Sequence, residues 1–229
     1  MLDTQGSERK TDRAEAFSDA VLAIAITLPL VDLKSPGVEV ARPLAAQYAA
    51  LEPHYAAYGL GFVVIGLYWA YSHFSGKLLV KTDHGFNLLT LVFLAAVSLT
   101  PLPARPFVEH LGDAGDAATA ASIYAWMLAA PAVLWAVRWY YAVRRGLLSP
   151  HLTPDYIHAT NVKYTAIAAA CVVGALIATF AMWQAGIAIV GLVTLSFALP
   201  PMMPRYKDGE APADDIEEAD EQHARERDV

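Results

Sequence analysis

Apolar residues gather in six blocks, at about residues 14–33, 48–74, 86–102, 117–143, 156–180 and 183–200. A membrane helix needs about 20 mostly apolar residues, with a range near 17–25 and more when tilted. All six blocks fit that window or slightly exceed it. The pattern predicts an all-α, polytopic membrane protein with six transmembrane helices. Turn residues separate the blocks: Asp32, Lys34, Ser35, Pro36 and Gly37 after the first, residues 76–85 after the second, Pro101, Pro103 and Pro106 after the third, and residues 144–155 after the fourth. Almost nothing joins the fifth to the sixth, which predicts a tight antiparallel hairpin around residues 181–184.

Composition sharpens this picture. Hydrophobic residues make up 56% of the chain and charged residues 17%, against about 45–50% and about 25% in soluble domains. The net charge of −7 comes from the end of the chain, where ten acidic residues lie between Asp208 and Asp228. It describes a tail, so it gives no reason to expect a nucleic-acid partner. Cys171, the one cysteine, sits in an apolar run and reads as a small buried hydrophobe. The polar start, MLDTQGSERKTDR, lacks the apolar core of a cleavable signal peptide.

Basic residues set the expected orientation. With the N-terminus in the cytoplasm, thirteen Lys and Arg fall on the inner side, Arg138 and Lys163 among them, and only Lys34, Arg42 and Arg105 fall outside. Both termini are therefore expected to be cytoplasmic. The expected division is a cytoplasmic N-terminus over residues 1–13, a six-helix domain over 14–204, and an acidic, disordered tail over 205–229.

The chemistry lies in polar residues within apolar blocks, because an ionisable group in hydrocarbon is costly and faces protein or a water-filled path. The first block carries Glu15, Ser18, Asp19 and Thr27, just after Arg13. The second carries His73, and the third begins with Asn87. These residues, Thr27 apart, are expected at one depth near the cytoplasmic side. They would form a cluster joining the first three helices, either as interhelical glue or in gating and conduction. Arg13 and Asp19 have the wrong spacing for an intrahelical pair. Ala20, Ile24, Thr27, Leu28 and Val31 form one stripe. On an ideal wheel Asp19 lies about 140° from Ile24, so the two point apart. By pattern alone the stripe is lipid contact or packing.

The run from Arg13 through Phe17-Ser18-Asp19 to Ile24 and Thr27 resembles the arginine-x-x-x-phenylalanine-serine-aspartate signature of the transmembrane protein 175 family of potassium channels. Tyr68-Trp69-x-x-x-His73 resembles the family's second helix, and the run from Asn87 to Phe93, ending in Leu99-Thr100-Pro101-Leu-Pro103, resembles its third. The resemblance implies a homotetramer in the cell membrane, with the first helix lining a central pore. It implies a hydrophobic constriction at Ile24, continued by Leu28 and Val31, with Thr27 as a polar ring aiding potassium selectivity. Arg13, Ser18, Asp19, His73 and Asn87 match the polar network behind the pore. The implied function is a leak-like potassium channel, with potassium as permeant ion, no cofactor and no bound metal. Two positions depart from the family. Pro29 stands where many relatives continue with aliphatic residues, and Ser72 stands where they often carry a second histidine.

No TVGYG-type run is present, so a carbonyl-lined filter is not expected. The alternative is a secondary transporter or proton-permeable protein using Asp19 and His73, which would show broken helices around a midplane site. A membrane scaffold would carry no ion flux. An enzyme is not expected, because the sequence offers no nucleophile–base pair and no metal-ligand spacing.

Overall fold

The computed structural model describes residues 4–37, 42–113 and 115–207. The side chains of residues 4–10, 12 and 32 and the acidic tail beyond residue 207 lie outside the described residues. Helix α1 spans Thr4–Thr27 and passes into a 3-10 helix at Leu28–Asp32. Helix α2 spans Leu44–Gly76, α3 His84–Leu99, α4 Ala104–Glu109, α5 Ala117–Arg145, α6 Pro154–Phe180 and α7 Trp183–Leu195. A 3-10 turn at Ser196–Ala198 follows α7. Among the described residues there is no strand, only two isolated antiparallel bridges, Leu79 with Leu148 and Leu152 with Tyr206.

Among the described residues, four stretches are long and apolar enough to cross a membrane: Arg13–Val31, His84–Glu109, Ala117–Arg145 and Pro154–Phe180. The other two predicted spans are helical but differ in kind. Helix α2 has 33 residues, about 50 Å at 1.5 Å per residue, but its Gly, Tyr, Trp, Ser and His residues dilute its hydropathy. Helix α7 has 13 residues, about 20 Å of helix, against roughly 30 Å of hydrocarbon.

The element ends have local causes. Pro29 sits in the first turn of the 3-10 segment. Its ring cannot supply the amide that would continue α1, so the α-helix stops at Thr27 rather than kinking in its middle. The segment expected to begin at residue 14 starts earlier, because α1 already includes Thr4–Arg13. The proline-rich stretch expected as a loop contains α4, where Pro106 lies in the first turn and forfeits only an amide that has no intrahelical partner. Gly146 closes α5 at φ 61°, the left-handed region that glycine adopts freely. Thr153 caps α6 by accepting from the Tyr156 amide.

The α6–α7 hairpin turns at Ala181 and Met182, as predicted. Its helices touch at glycines. A Cβ on Gly186 would run into the backbone of Ala178, and one on Gly174 would stand 2.7 Å from a Val190 methyl. Cys171 is fully buried beside this seam.

The core is aromatic and lies between α2, α3, α5, α6 and the final 3-10 turn. Tyr68 meets Phe93 edge-on at 5.5 Å and Phe197 at 5.1 Å, while Trp135 meets Tyr164 at 6.0 Å. Such pairs contribute about 0.5–1.5 kcal/mol each beyond their buried area. Helix α1 packs on α2 and α3 and reaches the core mainly through Leu22 and Ala25. Only 11% of its span is buried, against 28–50% for the other three.

Arg138 and Lys163, counted above on the inner side, lie inside α5 and α6. Lys163 donates to the Tyr71 hydroxyl at 2.8 Å. Neither interrupts its helix: each turns its charge toward aromatic partners within the bundle.

Candidate functional site

The face that α1 leaves uncovered carries the predicted stripe. Ile24 is 61% exposed, Leu28 64% and Val31 82%. Ala20 and Thr27 are exposed as well. Leu28 and Val31 stand on the 3-10 segment rather than on α1. At three residues per turn they eclipse one another, so they share a face without following the α-helical wheel. The Thr27 hydroxyl donates back to the carbonyls of Ala23 at 2.9 Å and Ile24 at 3.2 Å. Its oxygen lone pairs are then left for another partner.

The predicted polar residues occupy two adjoining spaces at the other end of α1. Ser18, Asp19 and His73 line a chamber of about 50 Å³. Arg13, Ser18 and Asn87 line a wider groove of about 600 Å³ together with Asp83 and His84. Ser18 borders both, yet its hydroxyl donates within α1 to the Ala14 carbonyl at 2.9 Å. Asp19 accepts from the Trp69 indole nitrogen at 3.1 Å. His73 stacks on the Trp69 ring with centroids 6.3 Å apart. Trp69 is therefore the link between Asp19 and His73. An indole N–H donates but does not accept, so this geometry gives no proton relay from Asp19 to His73.

Three features carry no part of the sequence prediction. Arg138 reaches the 50 Å³ chamber from α5, stacked over Phe93, Phe86 and Trp135. Its only sequence signal was a charge inside an apolar run. Asp83 clamps the start of α3 to the end of α5. It caps the Phe86 amide at 2.8 Å, accepts from the Tyr141 hydroxyl at 3.1 Å, and accepts from Arg145 Nε at 3.2 Å. These donors, the Phe86 amide first, hold its carboxyl below the usual aspartate value. Gly85 makes room for the clamp, because a Cβ there would overlap the Tyr141 hydroxyl. At the opposite end, His54 on α2 lies 3.9 Å from Glu109, and Arg105 donates to Glu109 at 2.8 Å. His54 and Arg105 border a cavity of about 460 Å³ whose wall includes Ile24 and Leu28.

An all-helical, multi-pass membrane protein with one little-buried helix bearing both an aliphatic stripe and ionisable residues is the class that fold and site define. A family model described as endosomal/lysosomal potassium channel TMEM175 matches residues 13–101, the stretch that holds the second part of α1 and all of α2 and α3. A potassium channel of Streptomyces collinus is 32% identical over 156 residues, covering 68% of this chain and 76% of that protein. A potassium channel of Chamaesiphon minutus is 34% identical over 137 residues, covering 59% and 67%. The crystal structure of a lysosomal potassium-selective channel TMEM175 homolog from Chamaesiphon minutus matches with a TM-score of 0.66 at 27% identity, covering 83% of this chain and 97% of that one. The chain belongs to the TMEM175 family.

Proposed function

We propose that this protein is a potassium-selective, leak-like channel, a homotetramer whose pore is lined by α1. The observation that carries the reading is the uncovered face of α1. Ile24, Thr27, Leu28 and Val31 are exposed along a span of which 11% is buried, and Arg13 is exposed at its start. Charged side chains facing hydrocarbon are strongly unfavourable. That face instead borders water and further copies of the chain around a common axis. The names of the Streptomyces and Chamaesiphon relatives support potassium as the ion.

In this reading Ile24 side chains from the copies narrow the pore, and Leu28 and Val31 extend the apolar layer. Potassium sheds its water shell more readily than sodium, so a tight apolar ring favours it. Thr27 hydroxyl oxygens, with lone pairs left over, replace part of that shell. Closure follows from dewetting between apolar rings. Arg13, Ser18, Asp19, His73 and Asn87 form the polar support behind the pore. The protein resides in the cell membrane with both termini in the cytoplasm, an orientation the basic residues still favour when Arg138 and Lys163, which lie within helices, are left out of the count. It needs no cofactor and catalyses no reaction.

The test is flux from liposomes containing the purified protein, with potassium and then sodium gradients. Potassium flux well above sodium flux is expected. Ile24→Asn is expected to raise total flux and bring the two ions closer together. Unchanged flux and unchanged discrimination in that variant would remove Ile24 from the constriction, and no flux from folded wild-type protein would end the channel reading.

A further inference from the structure

Arg138 is a permanent positive charge that the proposed function leaves unexplained. Its guanidinium carbon sits 4.7 Å from the Phe93 ring centroid, 5.2 Å from that of Phe86 and 5.4 Å from that of Trp135. Its Nε is buried without a hydrogen-bond partner. Among the described residues it makes no ion pair. An arginine does not escape this by losing its proton. Aromatic faces compensate part of its charge. The side chain is half-buried, and an opposite charge within reach would compensate what the rings do not.

The chamber supplies one. Arg138 enters its wall from α5, and Glu15, Ser18 and Asp19 enter from α1. Glu15, Asp19 and His73 are exposed along it, so water enters the space and the field of Arg138 reaches the carboxylates partly screened. Trp69 fixes one oxygen of Asp19 at 3.1 Å, so that carboxylate has a set direction. Helix α1 itself packs on α2 and α3, and the chamber is where its carboxylates and α5 share a space.

We propose that Arg138 is a positioning residue, the fixed counter-charge on α5 that holds the carboxylate-bearing end of α1 in place across a hydrated chamber. Its consequence for conduction rests on the reading that α1 lines the pore. Neutralising Arg138 frees that end of α1 and lowers flux, although Arg138 does not border the stripe of Ile24, Thr27, Leu28 and Val31.

The test is a double-mutant cycle on the full chain, read both as potassium flux from liposomes and as melting temperature in detergent. The variants are Arg138→Gln, Arg138→Lys, Asp19→Asn, Glu15→Gln, and Arg138→Gln combined with each carboxylate change. Arg138→Gln is expected to cut flux about tenfold, a coupling of the size that interacting neighbours show. Arg138→Lys keeps the charge and is expected to stay within about threefold of wild type on the same scale. Adding Asp19→Asn or Glu15→Gln to Arg138→Gln is expected to cost less than the product of the single effects. Independent effects with both carboxylates, in flux and in melting temperature, would overturn the proposal. Loss of flux in folded Arg138→Lys would overturn it as well. If Arg138→Gln does not fold, the Lys variant and its own cycle with Asp19→Asn carry the same decision. Absence of flux in wild type sinks the channel reading alone, since the melting cycle still reports the charge coupling.

Discussion

At the scale of single residues, the partners of each polar group decide what it does. Asp83 shows this outside the membrane spans. One carboxylate receives an amide from α3 and a hydroxyl and a guanidinium from α5. Donors favour the charged form, so its carboxyl titrates below its unfolded value of about 3.9. A group whose pKa is depressed on folding stabilises the protein above its unfolded value, and that stabilisation is lost as pH falls through the lower folded value. Asp83→Asn keeps a good helix cap and removes the charge. We expect it to melt below wild type by a constant margin above about pH 5, and the margin to shrink as pH falls from about 3.9 through the lower folded value. A margin that persists unchanged at pH 3 would assign the clamp to capping rather than to charge. The sequence made Ser18, Asp19, His73 and Asn87 legible because polar residues stand out in apolar runs. It did not show that Trp69 joins Asp19 to His73, that Ser18 bonds within its own helix, or that Asp83 meets Arg145. Those pairings span 50 and 62 residues for the Trp69 and Arg145 contacts and depend on helix rotation, which periodicity does not fix.

At the scale of elements, the apolar pattern located the helices, and their junctions followed rules that the pattern does not contain. The break at Thr27 comes from Pro29, and it moves Leu28 and Val31 from an α-helical stripe to a 3-10 one. Helix α4 hides in a proline-rich stretch because prolines in a first turn read like a loop. The α6–α7 hairpin was legible from the lack of any linker, but its seam was not. There Gly186 lies against the Ala178 backbone, and Gly174 lies against Val190. At Gly174 a new methyl meets side-chain methyls of Val190 and Ile189 and only grazes the Gly186 carbonyl at 3.1 Å, whereas at Gly186 it meets the backbone itself, which yields only by moving the helix. Gly186→Val is therefore expected to destabilise by about 3 kcal/mol, the upper part of the overpacking range, and Gly174→Ala by about 1 kcal/mol. Thermal unfolding of the detergent-solubilised protein checks both. Equal, small losses at the two positions would mean that α7 shifts freely on α6.

At the scale of the whole molecule, burial is unevenly shared, and that unevenness is what the sequence could not display. An aromatic core ties α2, α3, α5 and α6 together, while α1 lies along the outside with its aliphatic stripe and its charges uncovered. A single chain in lipid would set Arg13 against hydrocarbon, and in the proposed reading the uncovered face is where copies meet. This makes proximity between chains at the end of the stripe measurable. Cys171→Ser gives a cysteine-free background, since the chain has one cysteine and it is buried. Cysteines then placed at Val31, at Val173 on α6 and at Leu192 on α7 sample three exposed positions on different helices. A disulfide forms only where Cα atoms come within about 7 Å, so oxidation in native membranes reports which face repeats around an axis. Val31→Cys is expected to yield cross-linked dimers on a denaturing gel, and Val173→Cys and Leu192→Cys are expected to remain monomeric. The reverse outcome, cross-links from α6 or α7 and none from Val31, would put α1 against lipid. The charges at Arg13 and Asp19 would then have to be satisfied within one chain, and the pore would have to be sought elsewhere.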